Sequence, residues 1–512
     1  MRNQNLFNSV RVSKPSKNAF DLSHDLKMSA NFGNMYPILV QECVPGDRFN
    51  IDAAALVRMA PMVAPVMHRL NVSTHYWFVP NRILWSDWEK FITGAQDPSI
   101  EYTAPYLYLT QSQWDTNKLF DYLGLPRPLN NTDDFRVSAL PFAAYQQIFM
   151  DWYRDQNLHG ELPWGLVNKL ASGDNSTDAS LYAFRRRAWA HDYFTSALPW
   201  PQKGATVDLP LGEISLKPAW YGNDNIPVFT NEFGGAPGGP LEQEDILRQI
   251  QTGNGQALAY DPNGSLQVDP VSISTLRRAF RLQEWLERNA RAGSRYCESI
   301  YAHFGVRPQD ARLQRAEYIT GSKTPIIISE VLNTTGEDGG LPQGNMAGHG
   351  VSSPAGARGS YFCQEHGFII GIMTIMPEAA YQQGIPRHFG QREDRFDYYW
   401  PEFAHIGEQE IKNKELYPDF DTAEGTFGYQ SRYAEYKYNP SRVAGDMRTS
   451  LNYWHLGRIF DGPPALNQQF IDCDPSNRIF AVTDNDVDHF YIHIYHKIRA
   501  LRPMPKFGTP SF

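Results

Sequence analysis

Three histidines crowd the end of the chain, His489, His493 and His496, and closely spaced histidines are a common signature of a metal site. The alternation around them predicts a strand, and a strand rises about 3.3 Å per residue, so His489 and His493 stand roughly 13 Å apart. One ion, with ligand bonds near about 2 Å, cannot hold both, and His496 falls on the opposite face. They read as isolated strand histidines. Carboxylate pairs at Glu393/Asp394 and Asp419/Asp421 are of the kind a glycosidase sets on either side of a scissile bond, but here they read as acidic surface. The Lys-Thr pair of ITGSKT (319–324) lacks the order and upstream glycine of a phosphate loop. The chain carries no HExxH, no GxSxG elbow and no EF-hand loop. No catalytic residue, metal site or cofactor is expected.

Residues 428–448, GYQSRYAEYKYNPSRVAGDMR, interleave Tyr429, Tyr433, Tyr436 and Tyr438 with Arg432, Lys437 and Arg442. Rings among cations suit a stacking platform for single-stranded nucleic acid. They equally suit a large protein interface, where Tyr and Arg are favoured, and composition leaves both uses open. Cys43, Cys297, Cys363 and Cys473 are scattered, with no CxxC pair and no zinc spacing, and read as reduced thiols.

Strands must position these groups. Residues 72–79 alternate in period two, and strand patterns recur at 325–332, 361–376 and 490–499, the last with Phe490, Ile492, Ile494 and Ile498 on one face. Lys497 and Arg499 then share the other face. Helical spacing appears at 137–157 and 274–290. The second of these and the residues after it are rich in arginine, with Glu284 and Glu287 spaced for ion pairs along the helix. Two stretches read as long loops: 333–361, with eight glycines, and 204–270, with ten glycines and seven prolines. Strands spread over 512 residues without a βαβ rhythm or a repeat predict one mainly β domain, sandwich-like, with long insertions and a few helices.

The net charge of −9 excludes a protein that binds nucleic acid with its whole surface. Segments 204–270 and 393–424 each carry a local −7, which leaves a net +5 on the rest. Part of that excess lies in an N-terminal arm, residues 1–30, with Arg2, Arg11, Lys14 and Lys17. Another part lies in the last 22 residues, where Lys497, Arg499, Arg502 and Lys506 face no acid. These eight residues are the candidate contacts to a polyanion, through phosphates and without sequence readout. The N-terminus lacks the apolar stretch of a signal peptide, and the longest strongly apolar run, 368–376, is too short for a membrane span, so no membrane insertion is expected and folding is expected in a cytoplasm.

The 428–448 stretch resembles the signature region of the major capsid protein of microviruses, small single-stranded DNA phages, and most closely of the gokushovirus branch. Further resembling stretches follow in the family's order: FVPNR (78–82), WYRDQN (152–157), HDYFTSALPWPQKG (191–204), RYCESIYAHFGV (295–306), QGNMAGHG (343–350) and AYQQGIPRHFG (380–390). The resemblance implies an eight-stranded viral jelly-roll barrel spanning 1–512, about sixty copies of which form a T=1 icosahedral shell around circular single-stranded DNA. It implies as partners an internal scaffolding protein, a DNA pilot protein and a host surface receptor, with assembly in the bacterial cytoplasm and residence in the virion. Residues 204–270 are the candidate insertion that builds a threefold surface protrusion for host attachment. Tyr429, Arg432, Tyr433, Tyr436, Tyr438 and Arg442 become candidate subunit contacts. The competing readings are a jelly-roll carbohydrate-active hydrolase and a single-strand DNA-binding module.

Overall fold

A computed structural model of the chain describes residues 16–94, 101–129, 135–160, 170–208, 214–215, 267–268, 272–293, 295–332, 346–353 and 356–507. Strands β1 (Asn18–Asp21), β2 (His24–Ala30), β3 (Tyr36–Cys43), β4 (Arg48–Met59) and β5 (Leu70–Pro80) open the chain. A hairpin follows from β6 (Tyr106–Leu109) and β7 (Phe135–Ser138), and a two-residue pairing from β8 (Ile214–Ser215) and β9 (Gln267–Val268). The series continues with β10 (Glu317–Pro325), β11 (Ile327–Leu332), β12 (Met346–Ser352), β13 (Ala357–Phe362) and β14 (Gly367–Pro377). It ends with β15 (Glu408–Lys412), β16 (Thr426–Ser431) and β17 (Phe490–Arg502).

Two antiparallel sheets dominate. One runs β1-β17-β4-β12-β11, with β2 also beside β17 and β13 also beside β4; the other runs β10-β5-β14-β3. They share one core. Phe490, Ile492, Ile494 and Ile498 of β17 and Phe49, Ile51 and Val57 of β4 meet Val72, Tyr76 and Phe78 of β5 and Ile369, Met373 and Ile375 of β14. The architecture is a mainly β antiparallel sandwich, as the strand patterns predict.

The four-stranded sheet is covered on its second face too, where Trp77, Ile370 and Ile372 pack with Phe142, Ala143 and Tyr145 of the helix Leu140–Ile148. For that reason all of β14 is buried, whereas β17 and β4 alternate strictly between core and solvent. The helix expected over 137–157 is shorter, and it passes into a π-helical turn, Phe149–Tyr153, before Arg154 turns extended.

Three further expectations are corrected. Residues 361–376 are not one strand: β13 belongs to one sheet and β14 to the other, so the chain must cross between sheets at 363–366. The glycine-rich 333–361 is not all loop, since it contains β12 and β13. Its glycines permit close approach: a Cβ on Gly348 would lie 2.5 Å from the Ala64 carbonyl oxygen, and one on Gly350 would lie 2.4 Å from Met59 Sδ. Residues 18–30 of the expected arm are β1 and β2, paired along β17.

The chain divides into two compact units, Met1–Pro201 with Ala290–Phe512, and Gln202–Asn289. In the second unit Ile214 pairs with Val268 and Ser215 with Gln267, so the described ends of the 204–270 insertion are joined; its interior, 216–266, lies outside the described residues. The helix Ile273–Ala292 carries the pairs Arg281–Glu284 at 2.6 Å and Arg288–Glu284 at 3.1 Å, the intrahelical arrangement that the spacing predicts.

Packing and protonation give two expectations. Ile494→Ala removes a side chain from the shared core and is expected to cost about 2–5 kcal/mol, whereas its exposed neighbour Tyr495→Ala stays within about 0.5 kcal/mol; urea denaturation of the purified chain compares them. His496 is buried, and its Nε2 donates to the Ile38 carbonyl oxygen at 3.0 Å. Burial, with the nearby His24, pushes its pKa down to about 4, and burial, with Arg187, does the same to His75. The unfolded histidines, near about 6.5, bind protons that the folded ones refuse, so stability is whole above that value and falls as pH drops toward 4. His496→Gln is expected to flatten this fall when denaturation midpoints at pH 7.5 and 5 are compared.

Candidate functional site

The outward face of the seven-stranded sheet follows from the pleat. Directly opposed residues share a face, and β17 sets Tyr491 opposite Arg58, His493 opposite Lys27, Lys497 opposite Asp52 and Arg499 opposite both Asn50 and Asp21. Arg358 of β13 also opposes Asp52, and Leu501 opposes Arg48. Six cations, Lys27, Arg48, Arg58, Arg358, Lys497 and Arg499, therefore stand on one surface against Asp21, Asp25 and Asp52. Asp52 is held by Arg358 at 3.0 Å and Asp25 by His493 at 3.0 Å. Asp21 sits below the ordinary carboxylate range, chiefly through hydrogen bonds from Ser23, with Arg499 and Lys497 adding to the effect. Lys27, Arg48, Arg58, Lys497 and Arg499 are exposed, and none has an ion-pair partner among the described residues.

The expected basic contacts divide. Arg2, Arg11 and Lys14 lie outside the described residues. Lys17 donates to the Gly46 carbonyl at 2.7 Å and sits over the Phe362 ring, and Lys506 is exposed beside Phe507. Lys497 and Arg499 point outward as the alternation predicts. Arg502 does not belong with them: its Nε and Nη2 donate to Asp47 Oδ2 at 3.0 and 2.9 Å, and Asp47 has no exposed surface. Sequence reading missed Lys27, Arg48 and Arg58, although β4 carries a signal in the alternation of Arg48, Asn50 and Asp52 with Phe49, Ile51 and Ala53.

The tyrosine-arginine segment forms a second surface. Tyr429, in β16, is half-buried and exchanges backbone hydrogen bonds with Leu198 at 2.8 and 2.9 Å. Tyr433 takes a left-handed φ of 62° and is interior, 2% exposed, with its ring edge-on to Tyr399 at 5.0 Å. Arg432 lies over the Tyr433 ring. Tyr436, Tyr438 and Arg442 face solvent, and Tyr398, Tyr399 and Trp400 add exposed rings.

Behind these rings lies a buried charge network: Arg387 to Glu415 at 3.2 Å, Arg392 to Glu435 at 2.9 Å, and the Tyr193 hydroxyl to Glu415 at 3.0 Å. Burial pushes the Glu415 carboxyl up against the opposing pull of Arg387. At Glu435 burial also pushes upward, but hydrogen bonds from Arg392 and Gln409 outweigh it and hold the carboxyl low. Such a frame fixes the aromatic surface in place.

The remaining candidates for chemistry disperse. His489 is buried, its Nδ1 2.9 Å from Asn31 Oδ1, and no group of three metal-ligating side chains occurs among the described residues. Asp394 caps the short turn Arg395–Asp397, and Asp419 accepts from Thr422. Cys43, Cys363 and Cys473 are buried free thiols, and Cys297 is half-buried.

Residues 8–512 match the family of the phage capsid protein, or F protein. The chain belongs to that capsid family. It is 35% identical to capsid protein VP1 of Bdellovibrio phage phiMH2K, over 99% of this chain and 98% of that one. Identity is 34% to capsid protein VP1 of Chlamydia phage 1, over 99% and 98%, and 31% to that of Spiroplasma virus 4, over 99% and 97%. It is a structural virion protein of the microvirus and gokushovirus type, and not an enzyme. No helix among the described residues is long and apolar enough to cross a membrane.

The two kinds of arginine in this capsid protein are separable. Arg502→Gln leaves a buried carboxylate without its ion partner and is expected to cost roughly 3–5 kcal/mol, whereas Lys497→Gln and Arg499→Gln each stay within about 0.5 kcal/mol. Chemical denaturation of the three variants is the measurement.

Proposed function

We propose that about sixty copies of this chain close into a T=1 icosahedral shell around a circular single-stranded DNA genome, with the sandwich acting as an eight-stranded viral jelly roll. The observation that carries this reading is the end-to-end similarity to phage capsid proteins, 97% or more of each relative being covered. Two surfaces support it. The exposed rings of Tyr398, Tyr399, Trp400, Tyr436 and Tyr438 form the kind of patch that is closed by another protein, and Tyr429, Arg432 and Arg442 flank it, while Tyr433 supports it from within. The cationic sheet face suits a polyanion held through phosphates. Many modest contacts, repeated by symmetry, add up to a stable particle.

In this reading residues 204–270 form the outward threefold protrusion and meet the host receptor, since their acidic character suits the outside of a DNA-filled shell. Assembly runs in the bacterial cytoplasm with an internal scaffolding protein, and a DNA pilot protein joins the virion.

Negative-stain imaging and sedimentation of material from the native source test the reading. Uniform closed shells with nuclease-protected DNA are expected; a lone 58.3 kDa species there would overturn it. Particles built with Lys497→Gln and Arg499→Gln are expected to keep the shell but carry less DNA, measured as the ratio of absorbance at 260 and 280 nm; an unchanged ratio would remove the sheet face from DNA retention.

A further inference from the structure

We infer that the outward face of β17 with its neighbours is a stacking platform for single-stranded DNA, in which Tyr491 and Tyr495 hold bases while Lys27, Arg58, Lys497 and Arg499 hold phosphates. This rests on the proposed reading that the shell encloses a single strand.

Tyr491 and Tyr495 are 52% and 44% exposed on a strand whose inward residues are all buried. Their backbones are clamped on both sides, by β2 and by β4, so the rings project from a fixed base rather than from a loop. Tyr495 stands between Ala54 and Asp25, the latter engaged by His493, and Tyr491 stands between Arg58 and Ser29.

The outward face of β17 runs Tyr491, His493, Tyr495, Lys497, Arg499, and at about 3.3 Å per residue the two tyrosine rings stand about 13 Å apart. That is about four times the 3.4 Å rise per base on one strand of a duplex. The platform therefore fits a strand whose bases are pulled apart and free to meet a side-chain ring, which a paired and stacked duplex does not offer. Unpaired cations beside the rings supply the phosphate contacts, and the acids on the face are engaged with Arg358, His493 and Ser23. A protein partner would be expected to bring acids matched to each cation, whereas the phosphates of a nucleic-acid backbone meet all of them with one repeating charge.

The test uses DNA-filled particles from the native source, irradiated in the ultraviolet, digested and searched by mass spectrometry for nucleotide adducts. Adducts on the peptide that carries Tyr491 and Tyr495 are expected. Replacing each tyrosine by alanine is expected to lower the adduct yield on that peptide roughly tenfold per ring, with Tyr491→Phe and Tyr495→Phe retaining it. Filled particles whose adducts lie only on other peptides would overturn the platform and leave the shell reading intact. Lysine-directed cross-links that join Lys27 or Lys497 to another protein chain would also overturn it, because the face would then be covered by protein. Absence of DNA-filled shells from the native material would instead overturn the shell reading, and the platform with it.

Discussion

A carboxylate with no access to water sits where the chain changes sheets. Asp47 lies between β3 and β4, its Oδ2 accepts from the Val44 amide at 3.0 Å, and its backbone carbonyl accepts from Cys363 at 2.9 Å. The second crossing, between β13 and β14, is thus bonded to the first, and Gly46 donates back to the Cys363 carbonyl at 2.8 Å. A buried charge without a counterion costs several kcal/mol, so this corner is stable only when Arg502 arrives from the end of β17. Register of the last strand and closure of the first corner are therefore one condition. Contacts this far apart in the chain also predict slow folding, since the loop must close before the pairing rewards it.

The surfaces inherit their rigidity from that closure. β17 runs through the interior of its sheet, between β4 and the edge strands β1 and β2, so its outward residues cannot shift without breaking two ladders. The four-stranded sheet has no such free face, because helix and loop residues cover the side turned from the core. Display falls to the sheet with one solvated face, which is the general advantage of antiparallel strands over strands buried on both sides. The aromatic surface around Tyr436 is made rigid differently: short helical turns carry it, and the ion pairs of Glu415 and Glu435 replace the ladder as the support.

Where the chain reads clearly, one face of each element is in solvent. Phe490, Ile492, Ile494 and Ile498 alternate with polar residues, and their strand lies where the pattern places it. The pattern misleads where both faces are covered. Residues 72–79 alternate as if half were solvated, yet Trp77 and Val79 are as buried as Tyr76 and Phe78. It misleads again at 361–376, where apolar residues run on through a change of sheet that only hydrogen bonds between distant corners define. Glycines at 348 and 350 resemble those of a loop, because a residue chosen for close approach and one chosen for a turn are the same residue.

What the sequence by itself determined was local and periodic: the strand nature of 490–499, the outward direction of Lys497 and Arg499, and, through long resembling stretches, membership of a capsid family. The pleat needs no distant partner to send alternate side chains to opposite faces. Tertiary structure alone decided that Arg502 serves Asp47, 455 positions away, that Tyr433 is interior while Tyr436 and Tyr438 are not, and that Arg58 and Lys27 join β17 on one face. Those outcomes depend on which residue a fold brings alongside. Burial and ion pairing are set by neighbours in space, and spacing along the chain does not contain them.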